Sequence, residues 1–433
     1  MPHSSDAGLV RAIGTRQLTA SIINLTIGAG IFVLPAVAAA GLGAAAPIAY
    51  LVCAGMMALI VCCFAAAGSR VSLTGGLYAY VEVAFGPYVG FLAGVLYFLM
   101  AAFAVASVAS AFAGSVGALW PASDAPAGRA ALVAVLFAAL AFVNIRGVKP
   151  GIQLVEVLTV AKLLPLLILV GGGIWFVNPV YLHWPGMPAV SDIGHASIIL
   201  IFAFVGVEVA LVPSGEVRDP ARTVPRAIFS ALVITTILYL LIQAVAQGLL
   251  GPAMATFSSA PLAEAMSRVL GQGGRVLVLL GAVVSMFGYV AGDMLGSPRL
   301  LFAFARDGML PSAVARIHPR FHTPDVAIGI YACIGAALAI SSSFTQLAVL
   351  ANVAALTLYL MCVAAAFELQ RRDVRADGAV PFAVIGGPVI PILAAAAIIW
   401  LLTSATRREF GVEGLVIAVA TVFYFIRRTG GQI

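Results

Sequence analysis

Charge is what this chain has least of. Asp, Glu, Lys and Arg make up 9% of its 433 residues, where a soluble domain carries roughly 25%. Two stretches, 17–69 and 326–367, contain none. That deficit excludes a water-soluble globule, and each stretch is long enough for two bilayer-crossing helices of about 20 residues. Histidine is also scarce: His3, His183, His195, His318 and His322 are scattered and build no metal or catalytic cluster. The five cysteines (Cys53, Cys62, Cys63, Cys333, Cys362) all fall in apolar runs and read as small core residues, without disulfide or metal spacing. The "SGE" at 214–216 has no nucleophile–base pair beside it. These absences argue against an enzyme and imply neither cofactor nor metal.

What is abundant is apolar: 62% of residues are hydrophobic, the composition of a polytopic membrane protein. Turn chemistry at 41–47, 121–128, 178–188 and 341–343 divides the chain. The predicted helices are 18–41, 44–68, 88–117, 129–147, 152–177, 193–213, 225–249, 274–303, 325–342, 345–368, 382–403 and 411–427. The polar segment 1–17 precedes them, and the apolar run behind it is too long for a signal-peptide core, so no cleavage is expected. Residues 71–87, "VSLTGGLYAYVEVAFGP", are too polar for a span and too amphipathic for a loop. They predict a short re-entrant or interfacial helix covered by protein or by a watery cavity.

Basic residues set the orientation. Seventeen of the 23 Lys and Arg fall on the side shared with the N-terminus, five on the other, and Lys162 within a span. Both termini are therefore expected in the cytoplasm, with the chain in the cytoplasmic (inner) membrane. The net charge of +6 reflects this bias, so no nucleic-acid partner is implied.

The first span reads "TIGAGIFVLP" at 26–35, with Gly28, Ala29 and Gly30 ahead of Pro35; the sixth reads "IFAFVGVEVALVPSGE", with Gly206 beside Glu208. A weak point in mid-bilayer is costly unless something satisfies the freed backbone. Two of them, five helices apart, are where the first members of two five-helix halves would lie, and matched interruptions point to a transporter site. Close helix packing through glycine is the alternative for either one alone. Freed N–H groups at a half-helix start bind anions, and freed carbonyls at a half-helix end bind cations. An amino acid presents both charges one carbon apart. Gly28, Ala29 and Gly30 would meet its carboxylate; carbonyls of Phe202, Ala203 and Val205 would meet its amine.

Five stretches carry a resemblance. They are "IGAGIFVLP" in the first span, "TGGLYAYVEVAFGP" before the third, "NIRGVKPG" after the fourth, "GEVRDPARTVPRAI" after the sixth and "FAFARDGMLP" after the eighth. From about residue 15 to 370 the chain resembles bacterial members of the amino acid–polyamine–organocation (APC) superfamily. The resemblance implies an all-α fold of 12 transmembrane helices. Its core would be a five-plus-five inverted repeat (LeuT-like) of halves 18–177 and 193–368, with helices 1 and 6 interrupted. Helices 11 and 12 follow at 382–427. It also implies alternating access.

Three charges lie within spans, and each is a functional candidate for that reason. Lys162 sits about ten residues into the fifth helix, roughly 15 Å from its end at 1.5 Å per residue. In sodium-coupled relatives of the implied fold a sodium ion bridges the first, fifth and eighth helices, and in several permeases a lysine takes its place. Lys162 is thus expected to contact carbonyls near the first break and to serve in proton coupling; a structural ammonium that never titrates is the alternative. In an antiporter of the superfamily the glutamate matching Glu208 works with two tyrosines, for which Tyr97 and Tyr359 stand at the matching places, as a thin cytoplasmic gate. Ordinary packing is the alternative for the tyrosines. Asp293 in the eighth span has no role carried over. It is a candidate partner of Lys162, a candidate proton site, or a wall of a cytoplasmic cavity near Arg299 and Arg306, the last being favoured.

Ala101, Val105, Phe202 and Phe287 are expected to line the side-chain pocket, their apolar character favouring a neutral amino acid. The reading is a secondary active amino-acid transporter, a proton symporter or an exchanger. A cationic amino acid or polyamine antiporter is the alternative within the fold, and Glu208 is the feature pulling that way. A passive channel or a membrane sensor is the alternative of another class. The oligomeric state is open.

Overall fold

The computed structural model describes residues 14–71, 76–147, 152–184, 186–208, 217–306, 308–375, 382 and 387–429. Among them the regular structure is helical. The first half contains α1 (Thr15–Thr26), α2 (Gly30–Leu42), α3 (Ala46–Arg70), α4 (Leu77–Phe85), α5 (Pro87–Leu119), α6 (Pro126–Ile145) and α7 (Ile152–Gly173). The second contains α8 (Val190–Leu200), α9 (Pro220–Leu250), α10 (Pro261–Gly296), α11 (Pro298–Arg306), α12 (Asp325–Ser341) and α13 (Phe344–Arg371). Two more helices, α14 (Val389–Leu402) and α15 (Arg407–Thr429), follow.

Seven helical segments among the described residues are long and apolar enough to cross a membrane. Four shorter apolar ones accompany them: 161–176, 190–203, 325–341 and 389–402. Their outward surface is oily. Val233, Ile234, Ile237 and Leu241 on α9 are exposed, as are Val419, Val422, Phe423 and Ile426 on α15. A water-soluble monomer rarely shows so much contiguous apolar surface, whereas lipid tails cover it without cost. This is a multi-pass membrane protein.

The interior is built from small residues. The buried face of α5 runs through Ala101, Ala102, Ala104, Ala106, Ser107 and Ala109, which lets neighbouring backbones approach closely. α5 packs on α13, α10, α4 and α12, while α3 packs on α9. α4 falls within the 71–87 stretch and is buried at Leu77, Tyr80 and Val81, covered by α5 and α13 as a non-spanning helix requires.

Both expected weak points are breaks. α1 ends at Thr26 and α2 begins at Gly30, with Ile27, Gly28 and Ala29 between them in bends. In the second half regular helix stops earlier than the sequence suggests. The predicted 193–213 helix ends at Leu200, tightens into a 3-10 turn over Ile201–Ala203 and passes through Gly206 at φ +115°. Part of the predicted span, 209–213, lies outside the described residues, as does all of 214–216; the described chain resumes at Val217.

Candidate functional site

The carbonyls released by the first break are answered by side chains from three other helices. From α7, the Lys162 ammonium donates to the carbonyl oxygens of Asn24 and, at 2.9 Å, of Ile27. From α10, the Ser285 hydroxyl reaches the same Ile27 oxygen at 3.5 Å. From α9, Tyr239 donates to the Thr26 oxygen at 3.1 Å and to the Ala203 oxygen at 2.9 Å. Lys162 is 6% exposed and Tyr239 wholly buried. An interruption that would cost several kcal/mol per orphaned group in lipid is thereby satisfied without water.

Tyr239 was not singled out by the sequence reading, yet its one hydroxyl touches both broken segments. Its ring is held by edge contacts with Tyr50 on α3 and Phe204 beside the second break, at centroid separations of 6.2 and 5.5 Å. Nothing in the local sequence of α9 marks it out among apolar neighbours.

At the second break, Glu208 folds back on its own turn. Both carboxylate oxygens accept from the Gly206 N–H at 3.0 Å, and Oε2 accepts from the Tyr359 hydroxyl of α13 at 2.6 Å. Glu208 and Tyr359 are thus joined. Tyr97 lines the same cavity as Glu208 but hydrogen-bonds neither among the described residues. The two breaks also press together: a Cβ on Gly30 would lie 3.1 Å from the Ala203 Cα, and one on Gly206 would lie 3.2 Å from the Leu25 oxygen. Glycine is what permits this crossing.

Two adjoining cavities open at the crossing. One is bounded by Gly28, Ala29, Gly30, Phe202 and Val205, together with Thr26 and Val108. The other is bounded by Tyr97, Ala101, Glu208 and Val205, together with Ala104 and Asp293. Leu25, Val205 and Tyr289 belong to both walls.

Three residues expected at the substrate, Phe287, Val105 and Ala203, do not line these cavities. Phe287 is 40% exposed. The aromatic that α10 turns inward is Tyr289, two residues on, and two residues at 100° each reach the opposite helix face. Val105 is fully buried but sits at the edge of the face formed by Tyr97, Ala101, Ala104 and Val108. Ala203 is packed under Gly30, with its carbonyl already taken by Tyr239. Lys162 stands behind the first break, at the carbonyls where it was expected, and lines neither cavity. Among the options for Asp293, an ion pair with Lys162 is absent, and the carboxylate lies in the cavity wall with Glu208. Its i, i+4 spacing from Tyr289 was the signal that could have found it.

A sequence model of the amino acid permease family matches residues 13–425, nearly the whole chain. The chain belongs to that family. Among its relatives is the methylthioribose transporter of Bacillus subtilis, 29% identical over 98% of this chain and 95% of the relative. The serine/threonine exchanger SteT of the same organism is 29% identical over 93% of this chain and 92% of its own length. The branched-chain amino acid permease BcaP, also from Bacillus subtilis, is 26% identical over 90% and 87%. These relatives are permeases and transporters of small solutes, not enzymes, and this permease is a membrane transporter by the same membership.

Proposed function

We propose that this permease is a secondary active amino-acid transporter of the cytoplasmic membrane, with both termini cytoplasmic, working by alternating access as a proton symporter or an exchanger. The observation that carries the reading is the meeting of two broken helices at one pair of cavities. Gly28, Ala29, Gly30, Phe202 and Val205 bound the space, and half-helix ends at such breaks suit a solute that bears both charges. Amino-acid permeases and exchangers among the relatives support the substrate class.

The proposal includes twelve spans, with the first ten as two inverted halves, 18–177 and 193–368. Helix packing supports this, because contacts exchange when the halves are swapped. α5 lies on α13 as α10 lies on α7, and α1 lies on α9 as α8 lies on α3.

Lys162 is proposed as the coupling residue. Its ammonium links the first break to the fifth predicted helix, and Ser285 of the eighth converges on the same Ile27 oxygen. A cation fixed covalently at this junction removes the need for a sodium ion. Glu208 and Tyr359 are proposed as gate elements, with Tyr97 beside them.

A neutral substrate was the expectation from Val105, Phe202 and Phe287. Since neither Val105 nor Phe287 bounds the cavities, and two carboxylates do, the second reading gains weight: a cationic amino acid or polyamine. The test is uptake of labelled amino acids into proteoliposomes. Lys162→Ala should abolish uptake or remove its pH dependence; wild-type uptake that requires sodium refutes the coupling scheme.

A further inference from the structure

We propose that Asp293 is the specificity-determining residue of the cavity and that it receives a terminal ammonium on the solute. This deepens the reading above, on which it rests: the backbone at the breaks holds the amino-acid head, and the acidic end of the adjoining cavity holds a cationic side chain.

Both oxygens of the Asp293 carboxyl group are engaged by hydroxyl donors. Its Oδ2 accepts from the Tyr331 hydroxyl of α12 at 2.6 Å and its Oδ1 from the Ser297 hydroxyl at 2.7 Å. Short O–H···O contacts of this kind belong to charge-assisted bonds, and donors favour the ionised form. Each carboxylate oxygen has accepted one bond and keeps a second lone pair for a ligand.

No basic side chain accompanies the carboxyl pair among the described residues. Asp293 and Glu208 line one cavity, whose other walls are Leu25, Met100, Ala101, Ala104, Val205 and Gly206 with the two tyrosines. No basic side chain lines it, and Asp293 has no ion pair among the described residues. Lys162 is committed to the carbonyls of the first break. Two carboxyl groups facing one low-dielectric space cannot both ionise cheaply unless a cation joins them. The rings of Tyr97 and Tyr289 bound the same space and offer faces that attract an ammonium.

The structural logic separates head from tail. The cavity at the breaks carries no acidic side chain in its wall, so a carboxylate is tolerated there. The acidic cavity repels a carboxylate and draws the opposite end of the molecule. A solute spanning both runs from the backbone at Ala29 and Gly30 to Asp293, past Val205 and Tyr289, which both cavities share.

Lysine and norleucine test the idea, since they differ by the terminal ammonium alone. Equilibrium binding to the purified full-length protein in detergent should favour lysine at least about tenfold, the ratio of one charge-assisted bond. Asp293→Asn should bring the two within about twofold, mainly by weakening lysine, while binding still occurs. Equal binding of the pair to the wild type overturns the proposal, as does a lysine preference that survives Asp293→Asn. If that variant does not fold, the wild-type comparison decides alone. Stabilisation by sodium alone, with no response to lysine, also overturns it. Norleucine binding without an ammonium preference defeats this proposal and leaves the transporter reading intact; failure of every common amino acid to bind defeats both.

Discussion

Replacing Tyr239 with Phe removes one oxygen from a wholly buried ring and leaves the carbon framework in place. That oxygen lies 2.9 Å from the Ala203 carbonyl and 3.1 Å from that of Thr26. A hydroxyl has one proton, so the two contacts share one donor; on its loss the Thr26 oxygen keeps the Gly28 N–H at 2.9 Å, and the Ala203 oxygen is the acceptor left poorer. A buried acceptor stripped of its partner costs about 1–3 kcal/mol in water-referenced series. Side-chain bonds inside membranes average about 0.6 kcal/mol, because the unfolded reference also finds partners. The bracket is therefore about 0.6–3 kcal/mol, or roughly 3- to 150-fold in an equilibrium constant. Since the hydroxyl joins the broken segments of both halves, the cost should fall on their relative position more than on folding. The variant should express and unfold near the wild-type temperature in detergent. Its initial uptake rate in proteoliposomes should drop by at least threefold. Uptake with KM and maximal rate both within twofold of wild type would refute the idea that Tyr239 holds the breaks together.

Gly206→Ala should destabilise the second break by about 1–3 kcal/mol, because φ +115° is strained for any L side chain and the new Cβ meets the Leu25 carbonyl at 3.2 Å. Unchanged thermal stability and uptake would remove that turn from the argument. Outside the membrane, hydrogen bonding from Arg375, reinforced by Arg70, holds the Asp373 carboxyl below its usual range. A depressed folded-state pKa contributes stability that is present above about pH 4 and is lost as pH falls through the lower folded value. Asp373→Asn should therefore lower the unfolding temperature at pH 7 and converge on the wild type in acid; a gap that persists unchanged in acid contradicts this.

Much of the fold was legible because lipid imposes a simple rule. Long runs without charge must be helices that satisfy their own backbone, and a Gly-Ala-Gly run ahead of Pro35 is where such a helix gives way. Lys162 was legible for the same reason, since an ammonium that deep needs oxygen and the nearest unclaimed oxygens are at a break. The second break was harder. Gly206 marked it, but the 3-10 turn that ends α8 at Leu200 arises where Phe202 and Ala203 pack against α2 and α13, through Gly30 and Phe344.

The amino-acid sequence alone determined that this is a membrane protein, roughly where its helices run, that two of them are interrupted, and which buried cation serves the first interruption. Only the tertiary structure decided which side chains meet the cavity. In a soluble helix the polar face identifies the inward one by contrast. Here lipid and protein interior are alike apolar, so a helix such as α5 carries little rotational signal, and on α10 only the i, i+4, i+8 run of Ser285, Tyr289 and Asp293 marks a face. Phe287 was expected to face inward; the neighbouring helices fix a rotation that turns Tyr289 to the cavity instead, and with it Asp293 beside Glu208.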